Sequence, residues 1–523
     1  MAPSSLTADK NQSLLSKPGL IQTDLERLAS QLAALLSGGD TVFLKGDLGA
    51  GKSTFARALI RAIAQDLELE VPSPTFPLLI PYQTDRFDIS HYDLYRLGDP
   101  GEVEELGLYD HLSTHLTLIE WPEQLGAHQI NDRLEILLEE NDEGESRNVT
   151  LKGYGKGAAE LDRFSGIQTF VNNSDWGQAS WSYLQGDAST RSYIRLQQNG
   201  QSALLMNALP QPDGPPVKDG KPYSQIAHLA EDMTSFVAIA QTLREEGFAL
   251  PHIYNHDIGQ GLLLISDLGD EQYFDLITNQ GQDIGPLYEP AIDVLARLKQ
   301  TPPRPMLVNN KPYTLPAYDQ QALGIETQLT IDWYWPFVKN ERCGEEHQSS
   351  FNSIWRDLFK QLEIDNNNWV LRDFHSPNII RLKGQTGISS VGIIDFQDAL
   401  NGHAAYDVVS LCQDARLTIP VQTEQHLLNR YLNHMKAQDE AFNAEGFLTC
   451  YAILGAQRAC KLLGIFVRLS KRDGKHHYLA HLPRIWDYLE RSLPHPALEA
   501  LNDWFHVHFP LHLRAQFFTK ETV

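Results

Sequence analysis

The run GDLGAGKS at residues 46–53 restricts this chain more than any other feature, because its glycine spacing suits a backbone that wraps a phosphate. Gly46, Gly49 and Gly51 permit backbone angles closed to other residues, so the loop can turn its N–H groups inward. A helix beginning where the loop ends adds the positive end of its dipole. The flanks agree: residues 41–44 (TVFL) read as a short apolar strand, and Phe55, Leu59, Ala62 and Ile63 recur at helical spacing behind the loop. In such a strand-loop-helix unit Gly46, Gly49, Ala50, Gly51, Lys52, Ser53 and Thr54 surround the phosphates of ATP. Lys52 reaches the β- and γ-phosphates, and the Ser53 hydroxyl ligates Mg²⁺.

A phosphate loop alone does not hydrolyse ATP, since the metal needs a carboxylate and the attacking water needs an orienter. Two acids are candidates. Glu120 closes the apolar run LTLI at residues 116–119, and Asp93 lies within HYDLYRL at residues 91–97. Taken singly, each also reads as a solvated acid at a strand end. Upstream, Leu25, Leu28, Leu32, Leu35 and Leu36 form a helical stripe over residues 24–36, stopped by Gly38 and Gly39. Strands alternating with helices predict an α/β sheet, at least partly parallel. The acidic stretch 139–145 reads as a hairpin turn before a strand at 148–151, and GYGKG at 153–157 as a linker. The chain of 523 residues is too long for one core, so we expect a P-loop ATPase domain over residues 1–157 and a second domain over 158–523.

The formal charge of −24 has the wrong sign for gripping a phosphate backbone unaided, so any dealings with nucleic acid are expected to be indirect. Four cysteines, none in a Cys-x-x-Cys pair, imply neither a disulfide framework nor a zinc site, and they read as core filling in a reducing setting. The first 20 residues lack the basic start and apolar core of a signal peptide, and no run of about 18 apolar residues follows. A cytoplasmic protein without a membrane role is the expectation.

In the second domain, residues 193–196 and 203–206 read as paired strands, 262–265 as another, and helical stripes dominate from about residue 284. This predicts a small β lobe over about 165–268 and a helical lobe over about 269–523. The segment WVLRDFHSPN at 369–378, followed by GIIDFQD at 392–398, carries an Asp and an Asn five apart and a later Asp at a strand end. In phosphoryl transfer Asp373 would deprotonate an acceptor hydroxyl, while Asn378 and Asp395 would hold Mg²⁺. Ser189, Thr190 and Arg191 sit in a segment suited to covering phosphates, which reads equally well as a polar turn. ISDLG at 265–269 stands where two lobes would join and would present backbone groups to adenine. The strand at 202–207 carries no lysine to pair the α- and β-phosphates, leaving Arg191 and Arg195 as candidate substitutes. For the acceptor, the aromatic run at 332–335 fits either a sugar platform or core packing, and His375, Asp398 and Asp407 have no single reading.

GDLGAGKST, SPTF at 73–76, HYDLYRL and IEWPE at 119–123 together resemble the TsaE family, the ATPase of the machinery that makes threonylcarbamoyladenosine in tRNA. The resemblance covers about residues 18–157. It implies a switch role for the segment holding Thr75, metal-binding and hydrolytic roles for Asp93 and Glu120, and partners of the TsaB and TsaD kind. From about 165 to 490 the chain resembles the aminoglycoside phosphotransferase and choline kinase superfamily, which implies a bilobal protein-kinase-like α+β fold. GDASTR, RDFHSPN, IDFQDA, Tyr406-Asp407 and QDAR at 413–416 are most similar to the anomeric kinases of N-acetylmuramate and N-acetylglucosamine in cell-wall recycling, a group also found fused to TsaE. Leu371 departs from the His of many relatives. An aminoglycoside or small amino alcohol as acceptor, or a nucleotide-binding pseudokinase acting as a docking module, are the alternatives.

Overall fold

A computed structural model describes residues 12–515 apart from 127, 129, 142–144, 185–190, 210–212 and 364. The chain divides into two compact units, residues 1–209 with 254–267 and residues 210–253 with 268–523. Packing therefore runs across the expected boundary near residue 157.

The first unit is built on seven strands: β1 (Gln12–Leu20), β2 (Thr41–Lys45), β3 (Leu79–Tyr82), β4 (Ile89–Asp93), β5 (Leu116–Glu120), β6 (Arg133–Glu140) and β7 (Arg147–Tyr154). They lie in the order β1-β7-β6-β2-β5-β4-β3. The central ladders β6-β2, β2-β5 and β5-β4 are parallel, and the outer ones are antiparallel. Val42, Leu44, Leu118 and Ile136 from these strands share one core with Leu25, Leu28 and Leu32 of α1 (Gln22–Ala33) and Phe55, Leu59 and Ile63 of α2 (Lys52–Ala64). Strands packed by helices need apolar residues in continuous runs, which is why β2 and β5 were legible in the sequence. β1 was not: its nine residues alternate between half-buried and exposed, and it is held by antiparallel pairing with β7.

The expected linker is a close-packed junction. β7 ends at Tyr154 and a helix spans Lys156–Asn172. A Cβ added at Gly153 would lie 2.3 Å from the Gly157 carbonyl oxygen, and one at Gly157 would lie 2.2 Å from that of Arg133. These glycines permit close approach and do not supply slack. The helix serves two cores. Leu161 and Phe164 join the P-loop core, whereas Ile167, Phe170 and Val171 pack with Trp181, Ile194, Leu205 and Leu264 of a five-stranded sheet. That sheet runs Ile253–Asp257, Leu262–Ser266, β10 (Gln201–Asn207), β9 (Ser192–Gln198), β8 (Ser180–Leu184), and its β10-β9 hairpin confirms the expected strand pair. Ala34, the residue that follows α1, joins the same core. Arg86 donates to the Ala33 and Leu36 carbonyls while its guanidinium lies 3.9 Å from the centre of the Tyr183 ring. Gln65 Nε2 donates to the Tyr183 carbonyl at 2.8 Å. Phe170→Ala should lower the stability of this unit by about 3–5 kcal/mol, the usual cost of emptying a buried aromatic site, measured by denaturant unfolding of the full chain. A loss near zero would mean that the two cores are not joined in solution.

The second unit is mainly helical. Its longest helix, Ala444–Asp473, is long and apolar enough by composition to cross a membrane, yet 89% of its most apolar window is buried inside the protein. Two short antiparallel ladders, Asn368–Val370 with Leu400–Gly402 and Ile379–Arg381 with Val391–Ile393, frame residues 371–378. Within the run at 332–335, Tyr334 and Trp335 are core, buried against Trp486, Trp504 and Phe509 with Trp486 Nε1 donating to the Tyr334 hydroxyl at 2.6 Å, whereas Trp333 is half-buried and Asp332 exposed. Cys412, Cys450 and Cys460 fill core positions, but Cys343 does not and is partly exposed.

Candidate active sites

The first site forms at the carboxyl ends of β2, β4 and β5, where open α/β sheets bind ligands. Parallel pairing puts Asp93 directly beside Glu120, and Glu120 beside Leu44, one residue before the end of β2. Gly46, Gly49 and Gly51 all adopt positive φ, and a Cβ at Gly46 would meet the Leu138 carbonyl oxygen at 2.2 Å, so the loop tolerates no side chain there. Around Gly49 and Gly51 the space is open, which fits a polyphosphate. Lys52 Nζ donates to the Gly46 and Asp47 carbonyls at 2.7 and 2.9 Å and lies 3.7 Å from the centre of the Trp121 ring. Burial lowers the proton affinity of Lys52, and the charges of Glu120, Asp93, Glu123 and Asp47 work against that.

Ser53 Oγ donates to Glu120 Oε2 at 2.9 Å, and Thr75 Oγ1 donates to Asp93 Oδ2 at 2.9 Å. Ser73 Oγ also reaches Asp93, at 3.2 Å. Two carboxylates and three hydroxyls, all oxygen donors, thus gather beside the phosphate loop and fit a hard divalent cation. His91, absent from the sequence-based set, stands 3.0 Å from Glu120 Oε1. The available signal was its place two residues before Asp93, on the same face of a strand.

The second site lies on the framed loop. Asn378 Nδ2 donates to the Asp373 carbonyl at 2.9 Å and approaches Asp395 Oδ2 at 3.4 Å, so one carboxamide links the three residues expected to act together. Asp395 is exposed, holds φ +57°, and accepts from Gln397 Nε2 at 2.8 Å. A non-glycine residue in that region is strained, as is common where a side chain must be aimed. Burial would raise the Asp373 carboxyl, but Lys461, His375, Arg458 and Arg372 around it outweigh that and hold the group below its ordinary value. The group therefore stays ionised, as a base requires.

Side chains distant in sequence hold the loop. Asp407 accepts the N–H groups of Leu371 and Arg372 at 2.6 and 2.9 Å, and Asp414 accepts the Ser376 N–H at 2.8 Å and the Tyr288 hydroxyl at 3.0 Å. Burial pushes Asp407 up to about 7 against those two N–H donors. Arg372, itself at φ +74°, is paired in the interior with Glu326, which Lys461 also meets at 3.0 Å. Burial would raise the Glu326 carboxyl, but Lys461 and Arg372 bring it down to about 2. Of the ambiguous residues, His375 is buried with Nδ1 3.6 Å from Asp414, and Asp398 accepts the Ala230 N–H at 2.6 Å.

On the five-stranded sheet, Arg195 stands opposite Leu204 of the lysine-free strand and pairs through Nε with Asp267 at 2.8 Å. Arg191 directly precedes β9. Ser189 and Thr190 lie outside the described residues.

Residues 21–149 match the model of the threonylcarbamoyl adenosine biosynthesis protein TsaE, and residues 180–442 match that of the phosphotransferase enzyme family. The N-acetylmuramate/N-acetylglucosamine kinase of Caulobacter vibrioides is 33% identical over 363 residues, covering 68% of this chain and 98% of that protein. Its counterpart in Pseudomonas aeruginosa is 32% identical over 327 residues, covering 61% of this chain and 86% of that protein. The tRNA threonylcarbamoyladenosine biosynthesis protein TsaE of Rickettsia felis is 43% identical over 122 residues, covering 23% of this chain and 71% of that protein.

Proposed function

Since the chain is an enzyme that joins a member of the TsaE family to a member of the phosphotransferase enzyme family, we propose that it is bifunctional, with its two activities dividing near residue 157. The first is ATP hydrolysis in support of threonylcarbamoyladenosine formation in tRNA. The second is ATP-dependent phosphorylation of the anomeric hydroxyl of N-acetylmuramate or N-acetylglucosamine, in a cytoplasmic setting.

The observation that carries the kinase reading is the Asn378 carboxamide bridging Asp373 and Asp395. In this reading the ionised Asp373 accepts the proton of the anomeric hydroxyl. The freed oxygen bonds to the γ-phosphorus as the bond to the β,γ-bridging oxygen breaks and ADP leaves. Asn378 and Asp395 would hold Mg²⁺, which when bound neutralises charge on the phosphates. Arg191 or Arg195 would stand in for the missing lysine, and the Asp267 partner makes Arg195 a fixed cation on the sheet.

For the ATPase, Lys52 and the loop N–H groups would hold the phosphates, Ser53 with Asp93 or Glu120 the metal, and Thr75 would couple the SPTF segment to the nucleotide through Asp93. Leu48 and Phe76, 77% and 81% exposed, are the kind of apolar side chain that a partner subunit of the TsaB or TsaD type covers. The acidic charge supports contact with tRNA only through such partners.

The test is to incubate the chain with ATP, Mg²⁺ and a panel of N-acetylated amino sugars, aminoglycosides and choline, and to follow products by phosphorus NMR. The expected result is an anomeric phosphate on an N-acetylated amino sugar. Phosphate on an aminoglycoside or on choline overturns the acceptor, and no transfer at all favours the docking-module alternative that the lysine-free strand suggests.

A further inference from the structure

Glu120 is held from two sides. One oxygen accepts from Ser53 Oγ on α2 at 2.9 Å, and the other stands 3.0 Å from His91 Nε2 on the neighbouring strand. His91 and Glu120 are each 1% exposed, so water offers neither an alternative partner. The two contacts differ in permanence. On the ATPase reading of the first site, on which this inference rests, the Ser53 hydroxyl would hold Mg²⁺ when nucleotide is bound and would then no longer be available to Glu120. His91 itself has no part in holding nucleotide or metal in that reading, so its contact with Glu120 can persist.

We propose that His91 is a positioning residue for ATP hydrolysis: it donates from Nε2 to Glu120 and keeps that carboxylate aimed at the phosphate loop once Ser53 has turned to the metal. The tautomer follows from the surroundings. Nε2 faces a carboxylate oxygen and so carries the proton, while Nδ1 is buried with no hydrogen-bond partner among the described residues. Main-chain geometry supports the assignment. Asp93 and Glu120 are register partners in the β4-β5 ladder, and His91, two residues before Asp93 on the same face, reaches Glu120 diagonally across it. A buried carboxylate relieved of one donor and lacking a second would rotate toward another partner and lose its aim.

The experiment measures phosphate release from ATP by the full chain without sugar acceptor, counting the part abolished by Lys52→Ala. His91→Leu, which removes the donor, should lower kcat about 10- to 100-fold with little change in the KM for ATP, as is typical when the group orienting a metal-site carboxylate is lost. His91→Gln, whose amide nitrogen can occupy the place of Nε2, should recover most of that loss. If His91→Leu fails to fold, His91→Asn supplies the same test, because its shorter amide cannot reach Glu120. An unchanged kcat in the donor-free variants overturns the proposal, and so does equal impairment of the Gln and Leu variants, which would mark a purely structural residue. If the natural chain and Lys52→Ala release phosphate alike, the ATPase reading itself fails and takes this inference with it.

Discussion

Asp373→Ala should transfer phosphate at least about 100-fold more slowly than the natural chain, the lower range for losing a general base, while threonylcarbamoylation support by the first site continues. The loss should be chemical and not structural, because the loop does not depend on the Asp373 side chain. Its backbone is held by Asp407 at Leu371 and Arg372 and by Asp414 at Ser376, and Asn378 grips the Asp373 carbonyl, which alanine retains. Steady-state transfer rates alongside thermal melting of the two chains check both halves of the expectation. A variant that melts normally and still transfers at a comparable rate would remove Asp373 from the chemistry.

Lys52→Ala should have the complementary effect. Support of tRNA threonylcarbamoylation in a reconstituted system with TsaB- and TsaD-type partners should fall at least about 100-fold, as when a preorganised donor to developing charge is deleted, and sugar phosphorylation should persist. Lys52 is 5% exposed and is the cation set against Glu120, Asp93, Glu123 and Asp47. Without it those carboxylates face the phosphates uncompensated, and the loop carbonyls of Gly46 and Asp47 lose their donor. Unchanged support would refute the role given to the phosphate loop. Together the two substitutions ask whether the activities are separable within one chain.

Much of both sites was legible because their chemistry is local. A phosphate cradle is one turn of backbone, so glycines at 46, 49 and 51 declare it within a few residues, and the structure gives all three the positive φ such a turn needs. The loop at 371–378 is likewise contiguous, and the strand before Asp395 announces itself by apolar runs. β2 and β5 were readable for the same reason: burial on both faces leaves an unbroken hydrophobic signature.

What the sequence could not decide are the contacts that aim these groups. His91 meets Glu120 across 29 residues, Asp407 meets Leu371 across 36, Asp414 meets Ser376 across 38 and Glu326 meets Arg372 across 46. Nothing in the spacing of one chain fixes such pairs, since each depends on which helices and strands pack together. The same holds for the helix Lys156–Asn172. Its apolar residues divide between two cores, so no single stripe marks it, and the glycines before it read as slack when their work is close contact. The sequence by itself determined that this chain carries a phosphate loop and a separate Asp-Asn-Asp constellation, because both are written in short runs whose backbone geometry follows from residue type. Only the tertiary structure decided that the ATPase domain shares a core helix with the five-stranded sheet, and which buried partners hold each carboxylate, because burial and pairing arise between segments that only folding brings together.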